Sequence, residues 1–288
     1  MNFDLLSTSP YPFLQSYKQL WCGGNKELLN KICITIVGSR KISSYGKQTI
    51  LQFCKSATNY NIATLSGYVD GVDFEVFKNS LLNKIPTIIC LGYGVNYFEE
   101  QKFLNYYNKY STKTDFSDVL VVSQFEKSQN ATRWTFPKRD GLLASIGKTA
   151  LVVEAGEKSG TFYTVKQAIK EQKKVFAVPG SIFSSQSKGT NNLIKKGFYK
   201  TKAQIYTEPD DVFLYLKLNC KNGDKKSDGV VFTPTEGLVL KALTGNSHHF
   251  DDIVSQTKIS PEKLSAILTK LELKEAIKFD GKGYFRIR

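Results

Sequence analysis

Short apolar runs, each closed by a glycine- or hydroxyl-rich turn, recur along the chain and predict its elements. Residues 32–37 end in Gly38-Ser39-Arg40, residues 62–65 in Ser66-Gly67, and residues 87–91 in Gly92-Tyr93-Gly94. Residues 150–153 run into Glu154-Ala155-Gly156, with Ser159-Gly160-Thr161 just beyond, and residues 175–178 run into Pro179-Gly180-Ser181. Helical patterns lie between them. Residues 44–57 place Ile50, Leu51, Cys54 and Ala57 on one face, and residues 161–172 do the same with Phe162, Val165, Ala168 and Ile169. Such alternation predicts βαβ units and an α/β fold, an extended Rossmann-like, doubly wound, mostly parallel sheet of about seven strands. The carboxyl ends of parallel strands share one edge, and ligands bind there. Backbone N–H groups at such turns and at the following helix starts hold anions without a side-chain charge. The pattern therefore predicts one long anion-binding rim.

The alternation covers residues 31–217. Residues 1–30 carry no clear periodicity and read as a short N-terminal docking segment. Residues 218–231 are a polar linker. Beyond it, residues 232–288 predict a helix from Pro234, a second from Phe250, and a third opened by Ser260-Pro261-Glu262, where proline sits at the first helical position. Ile277-Lys278-Phe279 and Tyr284-Phe285-Arg286 then predict a hairpin. Three helices and a hairpin make a winged-helix pattern.

Charge sharpens the question of which anion. Of the net +14, residues 230–288 contribute nine Lys and Arg against seven Asp and Glu, leaving 31 against 19 before them. The large domain thus carries +12 of the +14, a field suited to a polyanion or an acidic membrane. No apolar run is long enough to span a membrane, and the first residues lack the basic and apolar regions of a signal peptide. The five cysteines show no Cys-x-x-Cys spacing. Together these predict a cytoplasmic, reduced protein without a zinc site.

Several chemistries lose their support. Gly46-Lys47 lacks the glycine of a Walker A loop, and Gly92-Tyr93-Gly94 does not continue as a dinucleotide fingerprint. The two histidines, His248 and His249, both fall in the small domain. A carboxylate hydrolase keeps Glu154 and Asp73 as candidates. The competing reading of Glu154 is a strand-end carboxylate that accepts bonds from a helix N-terminus. Arg40 sits at a strand-to-helix turn where a guanidinium grips a phosphate bidentately. The run Arg133-Trp134-Thr135-Phe136-Pro137-Lys138-Arg139 interleaves cations with aromatic rings, which suits single-stranded nucleic acid: cations meet phosphates and exposed bases stack on rings. The alternative leaves Trp134 and Phe136 in the core beneath a solvated charged rim.

In order along the chain, these motifs resemble the DNA-processing protein A family (DprA, also called Smf). They are Val37-Gly38-Ser39-Arg40 with Tyr45-Gly46, Ser66-Gly67 with Gly71-Val72-Asp73, and Phe136-Pro137 with Arg139. There follow Val153-Glu154-Ala155 with Ser159-Gly160-Thr161 and Thr164, Val178-Pro179-Gly180, and Gly189-Thr190-Asn191-Asn192-Leu193-Ile194 with Gly197. The resemblance implies a sequence-independent single-stranded DNA-binding protein of natural transformation, without a catalytic role or cofactor. It implies a homodimer through the large domain that protects incoming strands and helps load a RecA-type recombinase. Carried over, Arg40 is a phosphate clamp, and Arg133 and Phe136 are basic and stacking contacts. Ser66, Gly67, Ser159, Gly160 and Thr161 offer N–H and hydroxyl groups to phosphates, and Gly38 and Ser39 belong to the same candidate site. Lys138, Arg139 and Asn191 complete the candidate site. The chain departs from the family pattern at Phe77, where a histidine is usual, and at Asp140 and Gly141, which replace an amide and a cation.

The alternative is an enzyme of the nucleoside-monophosphate phosphoribohydrolase group, which shares a related fold. Its Pro-Gly-Gly-x-Gly-Thr-x-x-Glu signature is missing, since Pro179-Gly180 is followed by Ser181. The winged helix, at net +2, fits a protein-contact or regulatory role at least as well as duplex binding.

Overall fold

A computed structural model describes residues 1–199, 201–220, 233–243, 248–273, 276–279 and 283–286. The chain forms two compact units, residues 1–223 and 224–288. The predicted linker falls mostly outside the described residues.

In the larger unit, β1 (Asp4–Leu5) and β2 (Trp21–Gly24) lead into β3 (Ile32–Val37), α1 (Ser44–Ala57), β4 (Ile62–Ser66), α2 (Val72–Leu82) and β5 (Thr87–Cys90). Next come α3 (Glu100–Tyr110), β6 (Val119–Ser123), α4 (Thr135–Ile146), β7 (Thr149–Val152) and α5 (Phe162–Lys170). The unit ends with β8 (Val175–Ala177), α6 (Lys188–Lys195), β9 (Gln204–Ile205) and α7 (Asp210–Tyr215). These strands form one sheet in the order β1-β2-β6-β5-β4-β3-β7-β8-β9. From β6 to β9 every neighbouring pair is parallel, and Ile34 of β3 pairs with Thr64 on one side and Thr149 on the other.

The strands are near-continuous apolar runs because helices cover both faces of the sheet. Cys33, Leu65, Cys90 and Val152 point to one side, where Leu142 and Leu143 of α4, Val165 of α5 and Leu193 of α6 complete a core. Ile34, Ile36 and Leu151 point to the other, against Phe53 of α1, Val76 of α2 and Phe213 of α7. Farther along that second face, Phe77, Phe103 and Tyr107 bury an aromatic cluster against Val119 and Val121. Leu51, read from the sequence as inward, is 38% exposed, and Phe53 takes the buried place on α1.

The first thirty residues, read from the sequence as a short docking segment, join the sheet. β2 pairs antiparallel with β6, Trp21 opposite Ser123, and β1 pairs with β2. Leu6, Leu14, Leu20, Cys22, Leu28 and Leu29 are buried in the core of the unit. The strand signal is faint because β2 ends in two glycines, which place no side chain on either face. Gly24 has φ +95°, and a Cβ there would stand 2.3 Å from the Val119 carbonyl oxygen.

The smaller unit contains α8 (Pro234–Ala242), α9 (Phe250–Thr257), α10 (Pro261–Leu273) and an antiparallel pair, β10 (Ile277–Phe279) and β11 (Tyr284–Arg286). This is the winged-helix order, packed around Val239, Leu243, Ile253, Leu264 and Leu268. A reciprocal capping box opens α8: the Glu236 N–H donates to the Thr233 hydroxyl, and the Thr233 N–H donates to the Glu236 carboxylate at 2.7 Å. His248 exchanges two backbone hydrogen bonds with Tyr284 of the wing. The four-residue turn of the hairpin falls outside the described residues except for Gly283.

Among the described residues no helix is long and apolar enough to cross a membrane, and no group of three or more His, Cys, Asp or Glu could hold a metal ion. The five cysteines are free. Burial pushes the Cys33 and Cys54 thiols up to about 12, which makes them inert core groups.

Candidate functional site

The sheet order reverses between β3 and β7. From β3 the chain steps outward through β4, β5 and β6, then returns to lay β7 on the other side of β3. The two connections leaving the carboxyl ends of β3 and β7 diverge there and open a crevice. It has a volume of about 490 Å³ and is lined from β3 by Gly38 and Arg40, from α2 by Asp73, from the start of α4 by Arg133, Phe136, Arg139 and Asp140, and around the start of α5 by Ser159, Gly160, Thr161, Tyr163 and Thr164.

Phe136 is the pivot of the crevice. Its ring packs on Gly92, where a Cβ would stand 2.7 Å away. The Arg40 guanidinium lies 5.4 Å from the ring centroid and the Arg139 guanidinium 5.8 Å from it. Arg40 and Arg133 are exposed. Arg133 stacks over Trp134 at 4.7 Å, and Trp134 is 65% exposed. The core alternative for Trp134 is thereby removed, and the run 133–139 forms the entry and first turn of α4. Lys138 is exposed on that turn but does not line the crevice.

Arg139 points the other way. It is buried, with Nε donating to Asp140 at 3.0 Å and Nη1 donating to the carbonyls of Gly67 at 2.6 Å and Cys90 at 3.0 Å. It therefore ties together the carboxyl ends of β4 and β5. The Gly67 N–H donates to the Asp73 carboxylate at 3.0 Å, and the Ser66 hydroxyl donates to the Asp73 carbonyl at 3.3 Å. The expectation that Ser66 and Gly67 present groups to a phosphate is corrected, because their polar atoms are spent inside. Gly67 is required by this packing, since a Cβ would collide with the Arg139 guanidinium. Burial pushes Asp73 up to about 6 despite the opposing pull of Arg139, and burial raises Asp140 as well. Asp140 and Arg139 form a buried ion pair.

Two further expectations are corrected in the same way. Asn191 clamps Gly180, accepting from its N–H at 3.1 Å and donating to its carbonyl at 2.9 Å. It shapes the turn after β8 and does not line the crevice. Asn191→Ala is expected to lower the unfolding free energy by about 1–2 kcal/mol, read from the urea midpoint. The Ser39 hydroxyl donates to Gln186 Oε1 at 2.7 Å and accepts from the Lys41 N–H at 3.0 Å, which fixes the β3 turn.

Around Ser159-Gly160-Thr161, the Thr161 N–H donates to the Ser159 hydroxyl, and the Phe162 and Tyr163 N–H groups donate to the Ser159 and Gly160 carbonyls. Thr164, 1% exposed, lines the crevice with a hydroxyl that has no hydrogen-bond partner. It stood among the matched motif residues, yet nothing in its spacing marked it as a site residue. Phe77 is buried among Tyr68 and Phe103. Gly141 meets only the Tyr17 hydroxyl, 4.0 Å from where a Cβ would stand.

Glu154 is engaged elsewhere. Its carboxylate accepts from the Ser43 N–H at 2.9 Å and from the Ser43 hydroxyl at 2.5 Å, and Ser43 in turn caps α1. It is thus a strand-end carboxylate serving a helix start, that of the helix after β3 rather than the one after its own strand. Both oxygens are engaged by Ser43, and the residue is 3% exposed.

The sheet order and the crevice at its switch point define an extended Rossmann-like α/β protein, its crevice lined by arginines and an aromatic ring, joined to a winged helix. The family model for DNA recombination-mediator protein A matches residues 12–217, and that for the DprA winged helix domain matches residues 230–278. The chain belongs to the DNA recombination-mediator protein A (DprA/Smf) family. It is 30% identical to DNA processing protein DprA of Streptococcus pneumoniae, over 73% of this chain and 69% of that protein. It is 27% identical to Protein Smf of Escherichia coli, over 99% of this chain and 74% of that one. The X-ray structure of the Streptococcus pneumoniae protein superposes with a TM-score of 0.63 at 28% identity, over 74% of each chain. DNA processing protein A from Helicobacter pylori, whose structure concerns its unique single-stranded DNA binding mode, shares the fold at a TM-score of 0.63 and 23% identity, over 75% of this chain and 96% of that one.

Proposed function

We propose that the crevice binds single-stranded DNA without regard to sequence, and that the protein takes part in DNA uptake by protecting incoming strands and presenting them to a RecA-type recombinase, as a homodimer through its large domain. The observation that carries the DNA reading is the Phe136 ring held beside the Arg40 guanidinium at the mouth of the crevice, with Arg133 and Trp134 exposed at the entry to the same helix. Rings stack on any base, and guanidiniums meet the phosphate that every nucleotide carries. A duplex hides its base faces, so this combination favours a single strand. The large positive balance of the unit draws a polyanion toward it. The family and the Helicobacter pylori relative support the same reading. The recombinase and dimer contacts are carried over from the family resemblance.

Fluorescence anisotropy of a labelled single strand across a salt series tests this, with its duplex beside it. The single strand is expected to bind preferentially. Each phosphate contact contributes about 0.7 to the slope of log affinity against log salt. The Arg40→Ala/Arg133→Ala variant is expected to bind more weakly, with a slope smaller by about 1.4. Equal affinity for duplex, or a slope unchanged in the variant, would refute the reading.

A further inference from the structure

Along the same sheet edge lies a second hollow, of about 290 Å³, lined by Tyr68, Tyr93, Tyr97, Glu99, Lys102, Asn130 and Ala131. We infer that it is a second base-binding subsite, taking the nucleobase of a nucleotide that neighbours the one in the crevice. The inference rests on the proposed function.

The linings of the two cavities are adjacent in sequence at several points. Arg139 donates to the carbonyls of Gly67 and Cys90, at the ends of β4 and β5; Tyr68 directly follows Gly67, and Tyr93 stands three residues past Cys90. Phe136, the ring of the first site, packs on Gly92, the residue just before Tyr93. The segment carrying Asn130 and Ala131 on the hollow continues within a few residues to Arg133 and Phe136 on the crevice. The offset from β3 to β5 is two strand spacings, about 10 Å, so one strand laid along the edge reaches both.

The lining selects a base over a phosphate. Lys102 is paired with Glu99 at 3.1 Å, and Asp70 also acts on it, so the hollow presents no uncompensated cation. What it presents is three phenol rings. Tyr97 is 43% exposed, while Tyr68 and Tyr93 are half-buried. The Tyr68 hydroxyl is shut off from solvent without a hydrogen-bond partner. Tyr68 is also fixed in an unusual pose. Its φ is +54°, a left-handed conformation uncommon for a bulky side chain, and its ring is wedged edge-on against Phe77 at 5.1 Å. Tyr93 is anchored through its carbonyl, which accepts from the Ser123 hydroxyl at 2.7 Å. The turn beyond it is fastened to the following loop by the Gly94 N–H donating to the Gln129 carbonyl at 2.8 Å. The rings are thus held ready rather than ordered by the ligand.

An abasic-site scan along a short single-stranded oligonucleotide tests the subsite on the full chain. Two separate positions are expected to weaken binding when their base is removed. Tyr97→Ala, at an exposed ring, is expected to weaken binding of the intact strand about tenfold. It should cause no further loss on the strand lacking the second base, because both changes remove one interaction. Tyr68→Phe, which keeps the ring and removes only a hydroxyl shut off from solvent, is expected to bind like wild type. A single sensitive position, or Tyr97→Ala losses that add to those of every abasic strand, would overturn the second subsite. If Arg40→Ala/Arg133→Ala still lost affinity in that case, the proposed function would stand without it. A wild-type chain that binds no strand would overturn both.

Discussion

Arg139→Leu is expected to lower the unfolding free energy of the large unit by about 3–5 kcal/mol, the usual cost of removing one partner from a buried ion pair. Leucine fills much of the space but leaves the Asp140 carboxylate and the carbonyls of Gly67 and Cys90 without their shared donor. Arg139→Lys is expected to restore little, since one ammonium cannot reproduce a planar fork that reaches three acceptors on two strands and a helix. Both tryptophans, Trp21 and Trp134, lie in the large unit, so their fluorescence during urea titration follows that unit alone. A variant that unfolds like wild type while losing only strand affinity would show Arg139 to be a contact after all.

Stability should also fall as pH rises from about 4 to about 6, in proportion to the burial of Asp73. Its carboxyl is raised from 3.8 to about 6 in the folded chain. Within that window the folded state therefore holds a proton that the unfolded state has released. The stabilisation is complete below the unfolded value and is lost as pH climbs through the folded one. The span corresponds to about 3 kcal/mol. The groups facing Asp73 are Arg139 and Arg40, which oppose the shift, and Asp140, which adds to it and is itself raised. Asp73→Asn keeps an acceptor for the Gly67 N–H and removes the titration. The difference in urea midpoint between wild type and Asp73→Asn, measured at pH 4 and pH 7, is the readout. A difference that does not change with pH would show that Asp73 is ionised throughout.

Both residues illustrate what the chain reveals before folding and what it withholds. The strand-then-turn alternation was legible because buried parallel strands must be apolar on both faces, whereas the strand order and its switch point emerge only in the folded sheet. Arg40, Phe136 and the loop 159–161 were legible as motif residues and meet in one crevice. Ser66 and Gly67 at a strand end, Arg139 in the cation-rich run and Asn191 in a later motif all read from the sequence as candidate contacts. Whether such a residue faces ligand or interior depends on whether its hydrogen-bonding capacity is already taken. Arg139 bonds Cys90, 49 positions away, and Gly67, 72 positions away. No local pattern encodes that. The tyrosine hollow was hidden for the same reason, since Tyr68 follows β4 while Tyr93 and Tyr97 follow β5. β2 escaped because Gly23 and Gly24 leave no alternation to read.

The pairing of β3 with β7 brings Ile34 beside Thr149, and the pairing of β2 with β6 brings Trp21 beside Ser123. Contacts between residues so far apart in sequence are slow to form, because the loop between them must close before any pairing rewards it. The chain leaving the ribosome thus carries one unpartnered flank of β2 and one of β3 until more than a hundred further residues have followed. The crevice has no existence in any shorter product, because one of its walls follows β7 and the other follows β3. Ligand affinity is in this sense a late acquisition of folding. A strand bound across the β3–β7 junction also clasps the two halves of the sheet at their most distant seam, so occupancy should slow unfolding as well as oppose it.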